Sequence, residues 1–251
     1  MAKFPDFIII GAMKCGTTVL WRNLDMHPGV SMGKNWDDPK KTSTEIRFWN
    51  NGGPHHTWKT KGVEWYKTLF SGDCCGEKSA NYIESNDAFK RMRDYIPNVK
   101  LVLCIRNPVN RAYSEYQMQR HTAPRKHTRG FDAAVNDKGY RKRGRYYELI
   151  SNNVLPYFPK EQLYCVIQER MYKNTQKEID KLSDFLGVER ALVPVNIVDS
   201  KDRDKKMKSY RKWQTKYGPM SEKSKNELKK YYSEYNKQLF EFLGEEIVEW
   251  A

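Results

Sequence analysis

The sequence contains no run of 18 consecutive apolar residues, and its N-terminus has only a four-residue apolar burst without a small-residue cleavage site. We therefore expect neither a membrane-spanning helix nor a signal peptide, and we expect a protein of the cytoplasm or of another soluble intracellular compartment. The five cysteines form no CxxC pair, and the five histidines do not supply the spacing of a metal site. This pattern predicts reduced thiols and no bound metal.

Acidic residues are in the minority, since 45 Lys and Arg stand against 31 Asp and Glu and give a formal net charge of +14. Such an excess fits a polyanion such as nucleic acid, a small anionic cofactor with an acidic substrate, or a merely solvated lysine-rich surface. Hydrophobic residues make up 39% of the 251 residues and aromatic residues 13%, which is too much for a disordered chain. The composition therefore predicts a folded core and leaves the three explanations of the charge open.

Short apolar runs separated by helical patterns define the expected fold. Residues 7–10, 99–105 and 163–167 predict buried strands. Helical patterns occupy much of the remaining chain, at residues 17–24, 86–95, 108–120, 145–156, 173–186 and 221–243. Strands that alternate with helices predict an α/β fold with a mostly parallel central sheet flanked by helices. We expect a single domain over residues 1–251.

The first glycine turn is the strongest local signal, in the sequence FIIIGAMKCGTT. A glycine turn between a strand and a helix presents backbone N–H groups and the positive end of the helix dipole to an anion. Lys14 adds a charge, and Thr17 and Thr18 add hydroxyl groups. In nucleotide triphosphatases the lysine directly follows the second glycine, whereas here Thr17 follows Gly16, which argues against ordinary ATP or GTP hydrolysis.

A second phosphate-binding turn is indicated by LVLCIRNPVNRAYSEY. Arg106 follows a strand, Pro108 begins a helix, and Ser114 lies on the second turn of that helix. A guanidinium and a hydroxyl beside a helix start suit a phosphate, although such an arginine also fits an ordinary ion pair. Two such turns predict a ligand with two separated phosphate-like groups.

With these two turns the sequence resembles the sulfotransferases that use 3′-phosphoadenosine 5′-phosphosulfate (PAPS) as donor. Within that family it is most similar to the heparan-type group, especially the sulfotransferase domain of N-deacetylase/N-sulfotransferases. The resemblance covers nearly the whole chain and includes the motifs EIRFWN, KGVEWY, GEKSANY, FLGV and LKKYYSEYN. It implies a P-loop-like sulfotransferase fold and one sulfotransferase domain over residues 1–251.

The resemblance also implies which residues bind the donor. Lys14 is expected to contact the 5′-phosphosulfate and its bridging oxygen, and the rest of the first turn is expected to cradle the phosphate through Cys15, Gly16, Thr17 and Thr18. Arg106 and Ser114 are expected to hold the 3′-phosphate. The family's C-terminal cofactor loop corresponds to KSYRKWQTKYGP, in which the candidates for closing over the donor are Arg211, Lys212 and Lys216.

On the acceptor side the resemblance implies that Glu45 is the general base and that Lys78 stabilises charge on the transferring sulfuryl oxygens. Candidate contacts to the acceptor are Arg47, Asn50, Ser79, Tyr82 and His121. Many O-sulfotransferases have a histidine and an aspartate where this chain has Arg47 and Asn50, and Asn50 resembles the N-sulfating branch. The expected acceptor is a hydroxyl or amine, foremost on a carbohydrate, while a small metabolite, a lipid or a tyrosine stays open.

Two other function classes compete with sulfuryl transfer. A P-loop kinase would use the first turn for ATP, would need magnesium, and would be indifferent to a 3′-phosphate. A nucleic-acid-binding module would exploit the positive charge, including the basic segment 120–145, which also fits an anionic glycan or a solvated loop. We expect no nucleic-acid partner, no metal cofactor and a monomer.

Overall fold

The computed structural model describes residues 2–34, 44–50, 57–125, 128–136, 138–193 and 219–251. The chain forms two compact units. The first unit comprises Met1–Ile105 and Leu149–Val198, and the second unit comprises Arg106–Glu148 and Asp199–Ala251. The assignment of residues 1–251 to a single domain stays a prediction.

A parallel sheet of five strands forms the centre of the first unit in the part of the chain that the structure describes. Its strands are β1 (Phe7–Gly11), β2 (Ser31–Met32), β3 (Cys75–Lys78), β4 (Lys100–Ile105) and β5 (Leu163–Ile167). The strand order is β2-β3-β1-β4-β5, and every neighbouring pair is parallel. The predicted α/β class with a parallel sheet is confirmed.

Two of these strands carried no apolar pattern in the sequence. The predicted strands at 7–10, 99–105 and 163–167 correspond to β1, β4 and β5, which are runs of aliphatic residues. By contrast β2 has only two residues, and β3 reads Cys-Gly-Glu-Lys although all four residues are buried. Gly76 is required in β3 because a Cβ there would lie 2.3 Å from Cζ of Phe7. Parallel pairing with β1 rather than hydrophobic patterning therefore makes this segment a strand.

Helices flank the sheet within the first unit. They are α1 (Thr17–Asp25), α2 (Thr57–Lys67), α3 (Asn86–Tyr95), α8 (Gln168–Lys173) and α9 (Thr175–Leu186), and a π-helical turn covers Ile150–Val154. The backbone of α2 is non-helical at Gly62. The helix predicted at 173–186 corresponds to α9 and begins at Thr175, because Asn174 leaves helical geometry and caps α9 by accepting the N–H of Lys177.

The second unit is built around the helices α4 (Pro108–Thr122) and α10 (Glu222–Leu243), with the short helices α5 (Phe131–Ala134) and α6 (Lys138–Lys142). A further short helix, α7 (Tyr146–Leu149), ends where the first unit resumes. The core of the second unit is rich in aromatic residues and contains Val109, Ala112, Tyr116, Phe131, Ala134, Val135, Tyr140, Leu228 and Tyr232. Among the helices of the described ranges, none has the length and apolar character needed to cross a bilayer.

Candidate active site

The turn between β1 and α1 has the geometry expected of an anion site. Gly16 lies immediately before α1 with φ 86°, a left-handed conformation that glycine adopts without steric cost. Lys14 is also left-handed, with φ 74°, which is uncommon for a residue with a side chain. The turn therefore connects β1 directly to the start of α1, where backbone N–H groups and the helix dipole favour negative charge.

The residues of this turn differ in their exposure. Thr18 is exposed on the first turn of α1, whereas the side chains of Cys15 and Thr17 are buried. The backbone N–H of Cys15 donates to the carbonyl of Ala12 at 3.1 Å. Thr18 is thus exposed and Lys14 is half-buried at this turn, and the assignment of Cys15 to the donor stays a prediction.

A cluster of charged side chains lies at the carboxyl end of β3. Lys78, the last residue of the strand, places its Nζ 3.2 Å from Oε1 of Glu45 and 3.2 Å from Oγ1 of Thr18. The other carboxylate oxygen of Glu45 accepts a hydrogen bond from Nε of Arg47 at 3.0 Å. The structure therefore brings together four residues that the sequence assigned to the donor, the base and the acceptor contacts.

The protonation of this cluster follows from its burial and charges. Burial alone would raise the pKa of Glu45, but the positive charges of Lys78 and Arg47 together outweigh it, and the pKa is lowered. Burial lowers the pKa of Lys78, and the carboxylate of Glu45 partly compensates. Glu45 is accordingly ionised at neutral pH, as a proton acceptor must be.

The side chains of the Lys78–Glu45 cluster are accessible to different degrees. The side chain of Lys78 is 3% exposed, that of Glu45 is 18% exposed, and that of Arg47 is 48% exposed. Asn50, on the same segment, is buried, and its Oδ1 has no hydrogen-bond partner within the described residues. The partly open carboxylate of Glu45 can receive a polar ligand that donates hydrogen bonds.

Ser79 and Tyr82, predicted to contact the acceptor, are both fully buried. Their hydroxyls donate to the carboxylate of Glu77, at 3.0 Å from Ser79 and 3.1 Å from Tyr82. Tyr66 of α2 donates to the same carboxylate at 2.5 Å. Sequence reasoning missed Glu77 and Tyr66. The available signal was their position inside motifs of the family resemblance: Glu77 lies in GEKSANY and Tyr66 in KGVEWY. Glu77 is also a charged residue within a four-residue buried strand.

The second unit holds the residues assigned to the 3′-phosphate. Arg106 directly follows β4, and its backbone carbonyl accepts a hydrogen bond from the hydroxyl of Tyr146 at 2.8 Å. Asn107 caps α4 by accepting from the N–H of Val109 at 3.0 Å. Ser114 is buried on the second turn of α4, as predicted, and His121 is exposed near its C-terminal end. Their roles in binding stay predictions.

The three C-terminal candidates for covering the donor, Arg211, Lys212 and Lys216, lie outside the described residues. Within the described ranges, no group of three or more His, Cys, Asp or Glu side chains has the arrangement of a metal site.

A glycine turn, a buried lysine and an ionised glutamate at the carboxyl end of parallel strands are typical of an α/β enzyme that acts on an anionic ligand. The chain belongs to the sulfotransferase domain family, which matches residues 4–246. It is 30% identical over 280 residues to mouse bifunctional heparan sulfate N-deacetylase/N-sulfotransferase 4, covering 98% of this chain and 31% of that protein. It is 31% identical over 204 residues to human bifunctional heparan sulfate N-deacetylase/N-sulfotransferase 1, covering 74% of this chain and 22% of that protein.

The chain thus spans about a third, or less, of the curated relatives that it matches. Among solved structures, a sulfotransferase from Alicyclobacillus acidocaldarius superposes with a TM-score of 0.75 at 22% identity, covering 99% of both chains. The sulfotransferase STF9 from Mycobacterium avium superposes with a TM-score of 0.55 at 12% identity, covering 94% of this chain and 77% of the other. These likenesses show the shared fold, and the family match shows membership of the sulfotransferase domain family.

Proposed function

We propose that this protein transfers a sulfuryl group from PAPS to an amine or hydroxyl of a carbohydrate, with Glu45 as the general base. The observation that carries the proposal is the contact of Lys78 with both Glu45 and Thr18. It joins a positively charged group and a proton acceptor to the start of α1. Family membership supports the donor, and the names of the heparan sulfate relatives support the acceptor.

The residues of the first turn fit the phosphosulfate end of the donor. Thr18 lies on the first turn of α1, where an anion is favoured, Lys14 lies on the glycine turn before it, and Lys78 adds a buried positive charge. When bound, the donor supplies the sulfuryl group and carries away the bridging oxygen with its electron pair. Arg106 and Ser114 are the residues proposed to hold the 3′-phosphate.

During transfer, the acceptor nitrogen or oxygen forms a bond to sulfur and must lose its proton. Glu45 is ionised and partly exposed, and it takes this proton. Lys78 lies 3.2 Å from Glu45 and balances negative charge on the transferring oxygens. Arg47 and Asn50, on the same segment as Glu45, are the residues proposed to position the acceptor group.

Donor binding is the first property to measure. Thermal unfolding at fixed salt is compared with 3′-phosphoadenosine 5′-phosphate (PAP), ADP and AMP. A ligand at about 100 times its Kd stabilises the folded state by about 2.7 kcal/mol. We expect a large shift with PAP and a small one with ADP, and an equal shift with both would favour the kinase alternative and contradict the proposal.

The acceptor is tested by transfer of radiolabelled sulfate from PAPS to a heparan-type polysaccharide with free amino groups. The matched control is the same polysaccharide after N-acetylation. Labelling of the first alone indicates transfer to the amine, and equal labelling of both indicates transfer to a hydroxyl. Labelling of neither, with PAP binding intact, would contradict a carbohydrate acceptor of this class.

A further inference from the structure

Glu77 is a fully buried carboxylate that the transfer chemistry does not use directly. Three hydroxyl groups donate to its two oxygens. Tyr66 lies 2.5 Å and Tyr82 3.1 Å from Oε1, and Ser79 lies 3.0 Å from Oε2. A hydroxyl has one proton to donate, so each group that donates to Glu77 has only lone pairs left for its other neighbours.

All three hydroxyls use those lone pairs to accept hydrogen bonds from the same segment, residues 44–50. Ser79 accepts the backbone N–H of Arg47 at 2.8 Å. Tyr82 accepts the backbone N–H of Trp49 at 3.2 Å, and Tyr66 accepts the indole N–H of Trp49 at 3.0 Å. Glu77 thus acts on this segment through Ser79, Tyr82 and Tyr66, because it determines which way these three hydroxyls point.

The segment 44–50 depends on these contacts because it contains neither helix nor strand. Its backbone N–H groups therefore need partners outside regular structure, and burial makes an unpaired N–H costly. Arg47 also has φ 55°, a left-handed conformation that a side chain disfavours and that the surroundings must hold in place. The side chain of this same residue donates to Glu45 at 3.0 Å.

We propose that Glu77 is a positioning residue for sulfuryl transfer. Its carboxylate orients three hydroxyl groups, and these hold the segment 44–50 in the conformation that presents Glu45 to Lys78. The chain of contacts runs from Glu77 through Ser79 and the backbone of Arg47 to the carboxylate of Glu45. The inference rests on the proposed role of Glu45 as the general base.

The structural half of the proposal is tested without any acceptor. Glu77→Gln keeps the shape of the side chain but replaces one accepting oxygen with a donor, so at least one hydroxyl loses the acceptor that fixes its orientation. The control is Glu178→Gln, which changes a buried carboxylate of the same unit that pairs with Lys181 at 2.6 Å and lies outside this network. Hydrogen exchange of the Arg47 and Trp49 amides is measured in both variants.

We expect exchange at Arg47 and Trp49 to become about tenfold faster in Glu77→Gln and to stay unchanged in Glu178→Gln, since losing one such hydrogen bond corresponds to about that factor. The strand β4, which is outside the network, serves as the internal reference. Unchanged exchange at both amides in Glu77→Gln would overturn the proposal. If that variant fails to fold, Ser79→Ala removes the link to Arg47 alone and replaces it in the experiment.

The catalytic half is tested by a double-mutant cycle with Glu45→Gln, using the amino polysaccharide as acceptor. Glu77→Gln alone should lower kcat by about tenfold to a hundredfold, as expected for a misplaced catalytic group, with PAP affinity kept. In the Glu45→Gln background the same change should have no further effect, because both act through one carboxylate. Equal losses in both backgrounds would overturn the positioning role.

The two proposals fail in different ways. Full turnover by Glu45→Gln would remove the general base, and with it the catalytic half of the Glu77 inference, whatever the exchange data show. Lost turnover in Glu45→Gln, together with additive losses from Glu77→Gln, would keep the base and reject only the role of Glu77.

Discussion

Two carboxylates in this protein are each held between two cations, and they differ in how completely they are enclosed. Glu45 of the first unit lies between Lys78 and Arg47 and keeps part of its surface open. Glu115 of the second unit lies between Arg111 and Arg143 and is fully buried.

The surroundings explain the difference. Glu115 and Arg111 lie four residues apart on one helix, and Gln119 completes the shell by donating at 3.0 Å. Glu45 instead lies on a segment without regular structure, and Lys78 reaches it from a strand. Similar ion pairing thus forms a fully enclosed cluster in one place and a partly open cluster in the other.

The largest expected effect is that of Glu45→Gln on turnover. The amide cannot accept the acceptor's proton, so we expect kcat to fall by about 100-fold to 10,000-fold. Binding of PAP, measured by calorimetry, should change little because no donor contact is assigned to this side chain. Retained turnover would show that the open cluster does not supply the base.

The corresponding change in the closed cluster, Glu115→Gln, should act on stability. It leaves the guanidinium of Arg111 buried without its carboxylate partner. We therefore expect the free energy of unfolding, measured in urea, to fall by about 3–5 kcal/mol. The control Glu227→Gln, which removes a partly exposed partner of Arg141, should cost about 1 kcal/mol or less. Equal costs for the two variants would contradict the distinction between closed and open carboxylates.

Glu77 differs from both. It is enclosed like Glu115, but the hydrogen-bond partners that the structure describes for it are hydroxyl groups and not cations. Burial raises its pKa from 4.5 to about 7, although the hydroxyls of Tyr66, Ser79 and Tyr82 favour the charged form; the negative charge of Glu45 adds to the rise. The unfolded chain loses this proton near pH 4.5 and the folded protein near pH 7, so all three hydroxyls donate to Glu77 only in the ionised form that prevails above about pH 7. The carboxyl therefore contributes stability below pH 4.5 that is lost as the pH rises to 7.

The stability difference between wild type and Glu77→Gln should consequently shrink by about 3 kcal/mol from pH 4.5 to pH 7.5. Urea unfolding at the two pH values measures it. The facing tyrosines stay neutral throughout, because burial raises the pKa of Tyr66 and Tyr82 well above 10. A difference that is the same at both pH values would contradict the shifted pKa.

The smallest expected effect concerns Arg106. Its substitution tests whether the second unit, which contains the closed cluster, also binds the 3′-phosphate of the donor. Arg106→Ala should lower the affinity for PAP by about tenfold, because it removes one hydrogen bond to a charged group. Affinity for ADP, which has no 3′-phosphate, should not change, and isothermal calorimetry with both nucleotides measures the pair. Equal weakening of both nucleotides would contradict a 3′-phosphate site at this residue.

The fold was predictable where hydrophobicity alone decides structure. The aliphatic runs of β1, β4 and β5 predict buried strands, and the pattern of Lys14 and Gly16 predicts the turn after β1. The polar strand β3 was not predictable, because it is buried through pairing with β1 and through the absence of a side chain at Gly76. A pattern along the chain cannot show such a reason.

The candidate site was predictable only in part for the same reason. Glu45 and Lys78 were identified through the family resemblance, and their contact joins residues 33 positions apart. Nothing in local periodicity indicates that Ser79 and Tyr82 turn inward to Glu77 rather than outward to a ligand. Hydrogen-bond direction is a property of the assembled site.

The division of the chain into interleaved segments has a consequence for synthesis. The strands β4 and β5 are hydrogen-bonded neighbours, yet residues 106–162 separate them in the chain. During translation the edge of β4 that pairs with β5 stays unpaired until this long stretch and β5 have left the ribosome. Unpaired strand edges can associate with other chains. Slow translation through residues 106–162 therefore prolongs the interval in which chaperones must protect the growing chain.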